Sequence, residues 1–244
     1  MDEVSRTAPA PARADSPARG RPWPTWLLPA GLLAVLVFLT VSVLVHGPLV
    51  TMDQYIRQTV QGWAHEAGWR WLVDSPHAPA KLITDLGRVT VAVPVLAVVA
   101  AVLAIRGHTL RPLLVSAAGV ALLLITVIPT KIIIARPGPG TTALAGGSWG
   151  YFPSGHTSTA CVCYSIAVLL LIAGQAGWVR RAALAGLAVV WLLVGAALIW
   201  CDYHWASDVL AGWALSALIV WLALRVRLPG QLAARWVRGA GDRP

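Results

Sequence analysis

Six long apolar runs, at 26–45, 89–105, 113–134, 157–174, 182–200 and 208–226, constrain this chain more than any other feature. Each is close to the ~20 residues that cross a ~30 Å hydrocarbon core as a helix rising 1.5 Å per residue. The runs are continuous and lack the ten-residue alternation of a membrane barrel, so helices are the form they predict. The expected fold is therefore all-α, a six-span transmembrane helical bundle. Composition agrees: 12% of the residues are charged and 57% hydrophobic, whereas a soluble domain carries about 25% charged residues to face water. Thirteen Trp against two Phe also suit a chain that meets headgroups. The first run, Trp26 to Val45, is too long for a cleavable leader and reads as a retained signal anchor.

The net charge of +9 is spread between the apolar runs and does not gather on one amphipathic face, which argues for membrane topology and against nucleic acid as a partner. Thirteen of the 19 Lys and Arg residues fall on the side shared by the two termini, with Arg106, Arg111, Arg180 and Arg181 among them. The positive-inside rule puts that side in the cytoplasm. Residues 1–24, rich in Pro, Ala and Arg, read as a disordered cytoplasmic arm, 25–228 as the membrane domain and 229–244 as a basic cytoplasmic tail. The connection 46–88 is then extracytoplasmic, and its Trp63, Trp69 and Trp71 among polar residues predict one or two interfacial amphipathic helices. His46, His65 and His77 have no partner spacing there. Cys161, Cys163 and Cys201 form neither a disulfide framework nor a metal pattern and read as packing residues.

Polar groups at the ends of spans are costly and mark function. Three clusters qualify: Lys131 to Pro139 closing the third run, Phe152 to Thr157 opening the fourth, and Asp202 to Asp208 joining the fifth and sixth. By the parity of the spans all three emerge on one side, the extracytoplasmic one. The second cluster suits an anion. Ser154 and Gly155 begin a helix whose free amides and dipole attract negative charge, and Gly155 lets it come close. His156, in the first turn, is a candidate general acid. His204 and Asp208, four apart, share a helix face, so the carboxylate can hold one imidazole nitrogen protonated and leave the other as nucleophile or base. Lys131 and Arg136 supply positive charge for a phosphoryl group. Singly, these groups have structural readings as an N-cap, a buried hydrogen bond and a snorkelling lysine. Their convergence points to a site.

The order Lys131…Arg136-Pro137, Pro153-Ser154-Gly155-His156, then His204-Trp-Ala-Ser-Asp208 resembles the type 2 phosphatidic acid phosphatase superfamily, which includes the vanadium haloperoxidases. The motifs span about 131–208, and the six-span layout extends the resemblance over nearly the whole chain. It implies that His204 attacks phosphorus to form a phosphohistidine, that Asp208 orients it, and that His156 protonates the leaving group. Lys131, Arg136, Ser154 and the Gly155 backbone are implied to hold the phosphate oxygens, with no metal and no cofactor. The implied activity is hydrolysis of a membrane lipid phosphate or diphosphate (polyprenyl diphosphate, phosphatidate or phosphatidylglycerophosphate) at the outer face of the cell membrane. A phosphotransferase with the same intermediate and a non-catalytic lipid-binding member are the alternatives. Three departures stand out. Arg136-Pro137 comes two residues early, leaving Gly138 where the family has its arginine. The family's Ser-Arg pair falls on Ala197 and Leu198. Asp202 replaces a usual glycine, setting negative charge near an anionic substrate.

Overall fold

Small residues decide which helices are central. The helix Gly155–Leu171 (α6) opens with Thr157, Ser158, Thr159, Ala160 and Cys161, and the helix Ala206–Ala223 (α8) carries Ala211, Gly212, Ala214 and Ser216, all buried or nearly so. Short side chains let helix backbones approach closely where no water drives them together. At Gly212 an added Cβ would lie 3.1 Å from Thr157 Cβ, and Ser216 Oγ donates to its own helix at Gly212 O over 2.6 Å. The α6–α8 pair is the spine of the structure, a computed structural model that describes residues 26–75, 78–144 and 149–225.

Around that spine stand Leu27–Leu44 (α1), Val89–Arg106 (α4), Arg111–Ile134 (α5) and Gly177–Trp200 (α7). Helix α6 packs on α4, α5, α7 and α8, while α1 lies against α8. The principal apolar core joins Ala92 and Leu96 of α4, Val115, Leu123 and Val127 of α5, Val162 and Ile166 of α6, and Leu215 and Ile219 of α8. Outward faces remain apolar, with Phe38, Ile105 and Ile133 at 61%, 72% and 79% exposure. Such a surface belongs in lipid. The chain is a multi-pass membrane protein.

All described elements are helical, eight of them α-helices. Five, α1, α4, α5, α7 and α8, are long and apolar enough to cross a membrane, and α6 is shorter at 17 residues. The run expected at 157–174 starts earlier, because Ser154 caps the helix, and stops at Leu171 ahead of Gly174, whose φ is +80°. The run expected at 182–200 begins at Gly177, so Arg180 and Arg181 lie within α7 and not in a loop. Hydrogen bonding carries a helix past the end of its apolar stretch. Segment 46–88 holds two α-helices, Pro48–Glu66 (α2) and Pro79–Asp85 (α3), with a 3₁₀ turn at Trp69–Leu72 between them. Helix α2 touches α1, α7 and α8, and α3 packs on α7. The arm expected at 1–24, the tail at 229–244 and His77 lie outside the described residues.

Gly212→Val should overpack the α6–α8 crossing and lower stability by about 1–3 kcal/mol, read as a fall in Tm of the detergent-solubilised protein. Gly31→Ala, where an added Cβ meets nothing within 4 Å, should leave Tm at or above that of the wild type.

Candidate functional site

One cavity of about 550 Å³ gathers Lys131, Gly155, His156 and His204. Each arrives by a separate route. Lys131 sits in the last turn of α5, and its ammonium donates to the carbonyls of Gly150 at 2.7 Å and Tyr151 at 3.4 Å. Among the described residues no carboxylate pairs with it. Gly155 and His156 open α6, so the free amides and positive pole of that helix face the cavity. Gly155 also leaves room for the lysine, since an added Cβ would stand 3.4 Å from Lys131 Cε.

His204 lies in the short turn between α7 and α8, 7% exposed. Its Nδ1 is 3.3 Å from Asp208 Oδ2. In the tautomer where Nδ1–H donates to that oxygen, Nε2 is the free nucleophilic nitrogen. The Tyr151 ring meets the imidazole edge to face at 5.5 Å. Burial holds His204 below the ordinary imidazole value of 6.5, against the upward pull of Asp208, so the neutral ring is the resting form.

Behind His204 runs a buried charge network. Asp208 Oδ1 accepts from Arg136 Nη1, and its Oδ2 accepts from the Trp205 amide at 3.2 Å. Arg136 Nη2 donates to Asp53 Oδ2 at 2.7 Å, and Asp53 accepts in addition from the amide and hydroxyl of Ser207. Trp205 stacks on this guanidinium, 5.3 Å away, and its indole N–H donates to Pro137 O at 2.9 Å. Arg136, Asp53 and Asp208 are 7%, 3% and 0% exposed.

Four of the seven expected residues, Lys131, Gly155, His156 and His204, line the cavity, and Asp208 stands directly behind His204. Two do not line it. Ser154 is fully buried, its Oγ accepting from the Thr157 amide at 3.2 Å as the cap of α6. Arg136 points away, under α8. The backbone turns at Ala135 through a left-handed conformation, φ +48°, and the early register delivers the guanidinium to carboxylates instead of the cavity. The two motif positions without arginine also have no room for one. At Gly138 an added Cβ would fall 2.5 Å from the Tyr151 ring, and Leu198 is fully buried against Ala160, Val194 and Val209. Asp202 is not an uncompensated charge near the cavity, as the sequence suggested. Arg57 clamps it with two hydrogen bonds of 2.7 Å, and this partnership raises the pKa of the arginine. Its φ of +57° explains the glycine usual at that position.

Residues 109–229 match the family model described as the PAP2 superfamily. The chain belongs to the PAP2 superfamily. A solved structure described as the first transmembrane PAP2 type phosphatidylglycerolphosphate phosphatase, from Bacillus subtilis, has the same fold. Its TM-score is 0.66 at 22% identity, over 80% of this chain and 93% of that one. No curated protein sequence matches the chain. Within this PAP2 fold the sequence reading missed Asp53 and Arg57. A usable signal was present: the two are four apart on an amphipathic stretch, and Asp53 is the first acid after Asp15. Nothing local, however, connects Asp53 to Arg136.

Asp53→Ala leaves Arg136 with one carboxylate and should cost about 3 kcal/mol or more, measured as a Tm drop larger than that of Asp74→Ala, an exposed ion-pair residue. Because the folded state holds His204 below 6.5, the unfolded chain takes up that proton first. The stability contributed by the neutral ring is complete above about 6.5 and declines as pH falls towards the lower folded value. A Tm series across that range should slope less steeply in His204→Gln than in the wild type.

Proposed function

We propose that this protein hydrolyses a membrane lipid phosphate or diphosphate through a phosphohistidine on His204. The observation that carries the reading is the cavity's mixed polar and apolar character. Lys131, His156 and His204 line it together with the apolar Leu123, Leu124, Val127 and Ile128 of α5. Leu124 is 45% exposed, so an acyl or prenyl chain can reach the cavity sideways from lipid while its phosphate sits beside Lys131 and the two imidazoles.

The chemistry follows from the groups present. Nε2 of His204 attacks phosphorus, a P–N bond forms, and the P–O bond to the lipid alcohol breaks. His156 donates its proton to the departing oxygen. Water then attacks the phosphohistidine, giving a proton back to His156 as the P–N bond breaks and phosphate leaves. Asp208 keeps Nδ1 protonated and steadies the charge that His204 gains. Lys131 and the α6 amides at Gly155 meet the phosphate oxygens. Ser154 acts here as the cap that orients those amides, and Arg136 through Asp208.

We infer six spans, with α6 crossing as the shortest of them, and both termini in the cytoplasm. The cavity then opens at the extracytoplasmic face of the cell membrane. The basic residues Arg106, Arg111, Arg180 and Arg181 at the opposite helix ends support that orientation. Polyprenyl diphosphate, phosphatidate and phosphatidylglycerophosphate are the substrate candidates.

Purified protein should release phosphate from one or more of these lipids. His204→Ala should lower the rate on the order of 10³-fold or more, and His156→Ala on the order of 10²–10⁴-fold. Acid quenching during turnover should trap an acid-labile phosphoprotein in the wild type and none in His204→Ala. Equal phosphate release by wild type and His204→Ala overturns the reading, and phosphate appearing on an added acceptor instead of in solution redirects it to phosphotransfer.

A further inference from the structure

We propose that Arg88 supplies, from the start of α4, the phosphate-gripping guanidinium that the third motif lacks at Leu198. The inference rests on the hydrolase reading for its substrate, and on independent geometry for its place. Arg88 lines the same cavity as Lys131, His156 and His204. It is held there by the backbone beside it. An added Cβ at Gly87 would lie 2.5 Å from the carbonyl oxygen of His156, so the α3–α4 junction rests directly on the first turn of α6. One residue earlier, Leu86 O accepts from the Tyr164 hydroxyl of α6 at 2.9 Å. Arg88 therefore follows a segment seated against the general-acid candidate.

The other guanidiniums near the cavity are committed. Arg136 is divided between Asp53 and Asp208, and Arg57 is bound at both ends to Asp202. Lys131 is left as a single point charge, short of what a phosphomonoester of about −1.5 to −2 requires. Arg88 is differently placed. Its partner is Asp85, Nε to Oδ1 at 2.8 Å, with side chains 60% and 36% exposed. An ion pair this wet is weak, and a dianion offering a bidentate fork displaces the carboxylate without moving the backbone. Val89 and Thr90, the first two residues of α4, line the cavity as well, so the positive end of a second helix adds to that of α6. The grip is thus rebuilt from a different element.

The test is kcat and KM for phosphate release from dioctanoyl phosphatidate in detergent micelles, with thermal stabilisation by inorganic phosphate recorded on the same samples. Arg88→Ala should raise KM on the order of 10- to 100-fold and abolish the stabilisation, with Arg88→Lys recovering part of each. Asp85→Asn, which frees the guanidinium and removes a negative charge from the rim, should move both readouts the opposite way. Arg70→Ala, which deletes an exposed arginine paired with Asp74, should match the wild type and controls for net charge. Arg88→Ala with wild-type KM and stabilisation overturns the assignment. So do Arg88→Ala and Asp85→Asn shifting in the same direction, the mark of an ion pair that serves only the fold. If the wild type turns over no lipid phosphate, the hydrolase reading falls and the stabilisation series alone decides Arg88. A wild type indifferent to both lipid phosphate and inorganic phosphate overturns it.

Discussion

A guanidinium shared between two buried carboxylates is the constraint on which the site depends. Arg136 joins Asp53 of α2 to Asp208 of α8 in a region almost closed to solvent. Burying any of the three alone is prohibitive, and removing one partner strands the others. The triad therefore locks α2, the turn after α5 and the start of α8 into one arrangement. Asp208 has no freedom left, since Arg136 occupies one oxygen while the Trp205 amide and His204 share the other. An imidazole held by a carboxylate that cannot turn keeps its tautomer and its aim. The orientation of the His204 ring is set by a carboxylate and a guanidinium that do not themselves line the cavity.

This arrangement also accounts for the distribution of cations. An arginine that stabilises the underside of the site cannot at the same time grip an anion on top. With Gly138 pressed on Tyr151 and Leu198 sealed among apolar side chains, neither remaining motif position has space for one. What faces the cavity is Lys131, two helix N-termini and the rim arginine of α4. Asp202 fits the same logic: its charge is absorbed by Arg57, one turn along α2 from Asp53, so a single amphipathic helix neutralises both charges that would otherwise disturb the region.

The legible part of this protein was what lipid and local spacing write into sequence. Long apolar runs have no other use, so the helices at 27–44, 89–106 and 111–134 were readable to within a residue or two. Pro153 to His156 and His204 to Asp208 were readable because a helix start and a four-residue interval are short-range facts. The ends of α6 and α7 were misjudged, since hydrophobicity stops before hydrogen bonding does. Arg136 was assigned to phosphate because its sequence neighbours are Lys131 and Pro137. Its actual partners lie 83 and 72 positions away, and no periodicity encodes such a pairing. The sharing of one arginine by two acids is a property of the assembled helices, visible only once α2 is seen beneath α8.

The recognisable PAP2 region, 109–229, does not contain Asp53, Arg57 or Arg88. A fragment cut at its boundary would keep both imidazoles and the lysine, yet Arg136 would face a single acid, Asp202 would lose its clamp, and one wall of the cavity would be gone. The charge network and the cavity wall thus reach back to α2 and α4, upstream of the recognisable region. Upstream helices that look like surface decoration on the motifs are, electrostatically, the foundation beneath them.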